Sequence, residues 1–333
     1  MITPDATRIV SFGEGLIDFF PDKTGAPLRE ASAFEPRLGG APVNLAYGVA
    51  QLGGRAAMVS KLGDDEFGHL LVARLAAVGV NTRGVAMTRA ARTGITFVQI
   101  AADGERSFLF YRFRSAEKTL TPDDIDLDVV RASGVVHAGT NLLMEPGSRA
   151  ATLLVMEEAR RAGALMSLDA NLRLHLWPDP DAITPTVMDA IGRADLLKVN
   201  EEELAYLFGD RTPAEAFRDV LAPMGVRALI ATTGAAGATV VTDAALAHVP
   251  APAITAIDTT GAGDAFLAAL LVCLTRLGRG EGSWRDRLQT LSEGRWRAAL
   301  TIANGVASQV CTAMGATTAI PSGDAIDWSP LAQ

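Results

Sequence analysis

The segment Asp258-Thr-Thr-Gly-Ala-Gly-Asp264 runs directly into Ala265–Leu274, an apolar stretch with the composition of a buried helix. Gly261 and Gly263 let the backbone turn without Cβ clashes. The first N–H groups of the helix then point outward without intrahelical partners. Together with the helix dipole they form an anion site. A carboxylate at the mouth of such a site is placed to take a proton from a hydroxyl attacking phosphorus, a reaction driven largely by positioning and charge stabilisation. Taken alone the loop has a second reading: Asp264 caps the helix and the glycines only shape a turn.

Other segments bear on that choice. Gly39-Gly40-Ala-Pro-Val-Asn44 opens a helix that Gly53-Gly54 closes, and Lys61-Leu-Gly63-Asp64-Asp65-Glu-Phe-Gly68 follows. Alone, Gly39-Gly40 could be a turn and Asn44 a first-turn residue. Asn200-Glu-Glu-Glu203 has the spacing of a capping box. No Gly-x-x-x-x-Gly-Lys-Ser/Thr occurs; lysines stand only at 23, 61, 118 and 198, none after a glycine, which excludes a P-loop. Gly13-Glu-Gly15 lacks the third glycine of a dinucleotide fingerprint, since position 18 is Asp. The histidines (69, 137, 175, 248) lack metal-ligand spacing, so acid–base work falls to carboxylates.

The elements that must position these residues alternate. Arg8–Phe12, Ala56–Ser60, Gly134–His137, Leu165–Leu168, Leu196–Val199, Ala228–Thr232 and Ala238–Thr242 read as strands. Pro42–Leu52, Phe67–Ala77, Arg149–Ala162, Glu201–Phe208 and Ala214–Met224 read as helices. Near-continuous apolar strands between helices predict an α/β fold with a mainly parallel sheet covered on both faces, its ligand at the strands' carboxyl ends. Gly94–Ala101 and Arg106–Phe113 break the rhythm as a hairpin around Asp103-Gly104, and with Leu16–Pro36 they suggest a small separate sheet. Beyond Gly278 a polar loop leads into helix up to about Ala313.

The 333 residues are 49% apolar and 20% charged, enough for one large core, and no linker divides the chain. A net charge of −8 speaks against nucleic acid or an anionic membrane as partner. The longest apolar run is too short for a bilayer span, and no signal pattern opens the chain. Cys273 and Cys311 lie in apolar segments, where buried thiols of a cytoplasmic protein are expected; a disulfide stays open.

Leu38–Gly68 and Ile257–Leu271 together resemble the two signature regions of the PfkB (ribokinase-like) carbohydrate kinases, in the right order and separation. The resemblance extends from Arg8 to Pro321. It implies a ribokinase-like doubly wound αβα sandwich spanning 1–333 as one kinase domain, with a small β-sheet lid formed by about 16–36 and 93–114 that often makes a homodimer contact. It makes Asp264 the base, Gly261, Ala262 and Gly263 the anion hole, and Asp18, Gly39, Gly40 and Asn44 the sugar site. Asn200 and Glu203 match the family's Asn-x-x-Glu motif, where Glu203 holds Mg²⁺ through water near the ATP phosphates. Thr232, Gly234 and Gly237 resemble the loop beneath ATP, and Asn304 stands where the adenine pocket is completed. Asp258 and Thr260 match positions that give ligands to a monovalent cation in some members, which carries K⁺ as an option.

Gly13-Glu-Gly-Leu-Ile-Asp18-Phe-Phe-Pro21, the lid stretches Ala91–Phe97, Ala102–Arg106 and Phe110–Arg112, and Asp169-Ala-Asn171-Leu-Arg173 are similar to fructokinases, Ala170 replacing the usual Pro. Phe97, Arg106, Phe108 and Arg173 are the corresponding substrate-binding candidates. Arg106, Arg112 and Arg173 could equally pair with a carboxylate, as in the similar 2-keto-3-deoxygluconate kinases. Buried unpaired arginines beside a neutral sugar would be costly. Fructose is the favoured substrate; 2-keto-3-deoxygluconate, a nucleoside, or a catalytically idle sugar sensor are the alternatives.

Overall fold

Apolar side chains alternate in character along each central strand, and the alternation sorts them into two cores. In β1 (Asp5–Phe12), Ile9 joins one core and Val10 the other. The computed structural model describes residues 5–23, 25–100, 106–278 and 283–332. Further strands are β2 (Leu16–Pro21), β3 (Phe34–Gly39), β4 (Arg55–Gly63), β5 (Asn81–Thr88), β6 (Gly94–Ile100) and β7 (Arg106–Tyr111). After them come β8 (Ser133–Gly139), β9 (Leu165–Asp169), β10 (Leu196–Asn200), β11 (Ala228–Thr232), β12 (Ala238–Val241) and β13 (Leu246–Val249).

The large sheet has the order β13-β12-β11-β10-β9-β8-β1-β4-β5 and is parallel from β11 to β5. Helices Ala41–Gln51, Glu66–Ala77, Ala262–Leu277 and Glu293–Val310 contribute to the core on one face, and Pro146–Arg161, Ile183–Ile191 and Glu201–Phe208 to that on the other. The chain turns from β1 to β4 on one side and reaches β8 on the other. The carboxyl ends of β1 and β8 therefore flank the crevice where such sheets bind ligands. The expected doubly wound αβα layering is what the structure shows.

Differences from the sequence-based reading lie at the margins. β3, β5 and β13 are additional strands, and β12 and β13 run antiparallel at the edge. The helix expected over 214–224 is present as one continuous helical run from Pro213 to Met224, with π-type winding over Phe217–Leu221. The C-terminal helical region divides into Trp284–Thr290 and Glu293–Val310. A separate sheet of order β3-β2-β6-β7 includes the anticipated hairpin, whose turn around Asp103-Gly104 lies outside the described residues. Among the described residues no helix is long and apolar enough to cross a membrane. Both cysteines are buried thiols.

Candidate active site

Helix Ala262–Leu277 begins after Gly261, whose φ of 75° is left-handed backbone that a side chain would strain. A Cβ at Gly261 would also collide with Ala316. Asp264 thus occupies the third helical position. No side chain caps this helix, so the cap reading of Asp264 is set aside. Its Oδ2 instead accepts a hydrogen bond of 2.8 Å from Asn44 Nδ2, near the start of helix Ala41–Gln51. Burial pushes the Asp264 carboxyl up to about 6; Asn44's bond opposes that shift and the charge of Asp169 adds to it.

The paired glycines are explained by close approaches. A Cβ on Gly39 would meet the Asp18 carboxylate, and one on Gly40 (φ 94°) would lie 2.6 Å from the Glu14 carbonyl oxygen. They admit Asp18 to the floor of the site next to Asp264. Burial, with the charge of Asp264 adding to it, pushes Asp18 up to about 7 against the pull of Arg112. Glu14, just beyond β1, accepts 2.8 Å from Asn141, just beyond β8. Asn141 was not foreseen as a bridge across the crevice.

Beneath the glycine loop sits a residue the sequence reading left unassigned. Lys198, central in β10, is buried, and a Cβ on Gly263 would lie 3.3 Å from its Nζ. The ammonium pairs with Asp169 Oδ2 at 3.1 Å, with both side chains at most 7% exposed. Burial works against the charge of Lys198, but Asp169 and Glu203 outweigh it and hold its pKa above the ordinary lysine value. A fixed cation thus stands under the glycine loop, which is electrostatics suited to a transferring phosphoryl group, although the Ala262 N–H expected in the anion hole donates to the Thr259 carbonyl at 3.2 Å. The available signal was a lone Lys in an apolar parallel strand, which needs a partner to be buried.

Other expected residues divide into those brought to the cleft and those turned away. A cleft of about 740 Å³ is lined by Lys198, Asn200, Thr232, Gly234, Gly237, Ala262, Gly263, Asn304 and neighbouring residues, a size that suits a nucleotide. Asn304 Nδ2 donates to the Val249 carbonyl at 2.9 Å and so fixes the end of β13 at the cleft wall. Asn200 and Glu203 form the full capping box, each N–H to side-chain oxygen distance being 2.8 Å. Glu203 also accepts from Leu172 N–H, and burial with the charge of Asp169 raises its pKa. Asp258 is buried and accepts from Thr260 N–H at 2.6 Å and Gly315 N–H at 2.5 Å, tying the glycine loop to the 311–318 segment. Exposed Arg173 acts on Asp264 through its charge.

Strand alternation settles the lid candidates. Asp18 pairs with Thr96 and Thr96 with Phe110, while Phe19 pairs with Phe97. Phe108 and Phe110 therefore share Asp18's face of the small sheet. Phe97 stands on the other face, packed against Phe19 at 5.3 Å and Phe34 at 5.0 Å, so it does not contribute to the sugar site as expected. The side chain of Arg106 lies outside the described residues. Arg112 is buried, and its Nε donates to Glu117 at 3.0 Å, which balances its charge inside the fold. His137 is buried, and burial pushes its pKa down to about 4.

Removing Lys198 leaves the Asp169 carboxylate buried without its cation. Lys198→Met is expected to cost about 3–5 kcal/mol of stability. Adding Asp169→Asn should recover much of that loss. Denaturant midpoints of the two variants check this; an unchanged midpoint in Lys198→Met contradicts the pairing.

Comparison with known proteins agrees with the geometry. The model of the pfkB family of carbohydrate kinases matches residues 6–323. A probable fructokinase-4 from Arabidopsis thaliana is 41% identical over 319 residues, covering 96% of this chain and 95% of its own. A fructokinase from Xylella fastidiosa solved with bound ATP superposes with a TM-score of 0.85 at 31% identity, over 95% of this chain and 96% of that one. A fructokinase from Vibrio cholerae solved with fructose, ADP and calcium gives 0.80 at 31% identity, over 95% and 97%. With its parallel sheet, glycine loop and buried carboxylate in one crevice, this chain belongs to the pfkB family of carbohydrate kinases.

Proposed function

We propose that this kinase transfers the γ-phosphoryl group of ATP to the primary hydroxyl of fructose, giving fructose 6-phosphate, with Asp264 as general base. The observation that carries the reading is the Asp264 carboxylate, held by Asn44 at a helix start that Lys198 underlies. Fructose as substrate is supported by the fructokinases to which the chain is similar over nearly its full length.

ATP would occupy the cleft beside Thr232, Gly234, Gly237 and Asn304. Its γ-phosphate would meet the N–H groups of Gly261 and Gly263 above Lys198, the Ala262 N–H being engaged by the Thr259 carbonyl at 3.2 Å. The sugar would lie under the face carrying Asp18, with hydroxyls donating to its carboxylate. Asn44 Oδ1, buried and without a partner among the described residues, is left to accept another. Asp264 takes the proton of the attacking hydroxyl as its oxygen reaches phosphorus, and the proton stays on the carboxyl until product leaves.

Asp169, Glu203 and Asp264 concentrate negative charge beside Asn200, and each Glu203 oxygen retains a lone pair after its backbone bond. Among the described residues no three His, Cys, Asp or Glu side chains are grouped to ligate a metal directly, so Mg²⁺ would be held through water, as expected for a cation that dehydrates reluctantly. When bound, Mg²⁺ supplies charge neutralisation on the β- and γ-phosphates. Asp258 and Thr260 remain the candidate ligands for K⁺. Exposed Phe108, Leu109, Tyr111 and Phe113 suit a lid covered by a second copy, and buried thiols suit the cytoplasm.

A coupled ATP-consumption assay across fructose, 2-keto-3-deoxygluconate, ribose and adenosine should give the highest kcat/KM with fructose; no preference for fructose defeats the substrate assignment. A pH profile tests the base independently. Asp264 must be ionised to accept a proton, so kcat/KM should fall roughly tenfold per pH unit below about 6. Asn44 stabilises the ionised form, so Asn44→Ala should move that acid limb to higher pH. An unmoved limb contradicts the role of the Asn44 bond.

A further inference from the structure

We propose that Glu117 sets the charge selectivity of the sugar site: by neutralising Arg112 it makes the site reject anionic sugars and restricts the kinase to neutral ones. The proposal rests on the sugar-kinase reading above and names the residue that chooses among its substrates.

The pairing Ile95↔Tyr111 continues to Gly94 beside Arg112, and a Cβ on Gly94 would lie 3.4 Å from Arg112 Cγ. Gly94 in turn pairs with Leu16, two residues before Asp18 on the same face. Arg112 therefore projects on the side of the sheet that carries Asp18. Its charge acts on both Asp18 and Glu14. It also lines a small cavity of about 160 Å³ with Phe110 and Asn141, the residue that donates to Glu14. An arginine in that position would recruit a carboxylate if it were unpaired.

Glu117 prevents this. Its side chain is 0% exposed against 7% for Arg112, and Arg112 Nε donates to its Oε1 at 3.0 Å. Ser115 Oγ donates to the same oxygen at 2.5 Å. Glu117 Oε2 is buried with no hydrogen-bond partner among the described residues. An apolar side chain would fill that space without stranding an acceptor, so what Glu117 supplies is its charge. The other cation on this rim, Lys118, stands 3.8 Å from Glu145. Glu14, Asp18 and Glu117 then face a single neutralised guanidinium. Hydroxyl donors suit such a set, and among these four side chains a ligand carboxylate meets no unpaired cation; Arg173 stands apart, acting on Asp264.

The test compares wild type with Glu117→Gln, which keeps the shape and removes the charge. The ratio of kcat/KM for 2-keto-3-deoxygluconate to that for fructose should rise about 10- to 100-fold, the worth of one freed charge-assisted hydrogen bond. Gluconate should become a correspondingly better competitive inhibitor relative to sorbitol, its neutral counterpart of equal chain length. The double variant Arg112→Met/Glu117→Leu, which replaces the pair by apolar groups, should show no such gain. An unchanged ratio in a Glu117→Gln protein that melts cooperatively and binds ATP overturns the proposal. So does an equal gain in the double variant. If Glu117→Gln does not fold, wild type still decides: gluconate binding as tightly as sorbitol overturns the proposal. Because the inhibitor comparison needs no particular substrate, absent fructose turnover would count against the fructose assignment alone.

Discussion

The hydrogen bond from Asn44 to Asp264 joins two helix starts that lie far apart in sequence, and the site is organised around it. One helix follows β3; the other follows the glycine loop of the C-terminal half. A carboxylate placed among other acids loses its charge unless something stabilises the ionised form. Asp264 sits near Asp18 and Asp169, and burial already raises its pKa. A single neutral donor offsets part of that rise without adding a cation that would compete for the nucleotide. It leaves the carboxyl near the range where a base is both ionised and able to accept a proton.

Counter-charges elsewhere are spaced with similar economy. Lys198 balances Asp169 beneath the phosphate side of the crevice, while Arg112 and Glu117 cancel beneath the sugar side. The two buried pairs differ in what surrounds them. Lys198 is shared among Asp169, Glu203 and Asp264, and its ammonium is held beneath Gly263 of the glycine loop. Arg112 is matched by Glu117 and flanked by Glu14 and Asp18, so none is left over. On the proposed reading, one crevice presents an anion-binding end and a hydroxyl-binding end. The sheet topology brings them together at the carboxyl ends of β1 and β8, where the winding reverses.

Much of this was legible before any coordinates. Central strands such as Ala228–Thr232 announce themselves as continuous apolar runs because both of their faces are buried. β5 and β13 were not seen because exposed and half-buried residues interrupt their pattern at the sheet's edges. β3 carries Pro36 and Arg37, and the stretch Leu16–Pro36 expected in the small sheet resolves into two strands only once β2 pairs with it. Within the site, glycine spacing exposed the Asp264 loop, and Gly39-Gly40 marked close approach even though the partners, Asp18 and Glu14, could not be named. Lys198 and Glu117 were invisible for a different reason. Their significance lies in which charges they meet across the fold, and sequence spacing carries no record of that. Phe97 was misplaced because a one-residue difference in a strand moves a side chain to the opposite face.

The central claim is that Asp264 removes the proton from the attacking hydroxyl rather than capping a helix or shaping a loop. Replacing it by Asn preserves size and keeps an oxygen to accept from Asn44, so the fold and the nucleotide cleft should persist. Steady-state turnover of Asp264→Asn with saturating ATP and sugar tests the claim most directly. A fall in kcat of about 10²–10⁴-fold with ATP binding retained is the predicted result. Turnover within a few-fold of wild type would contradict it.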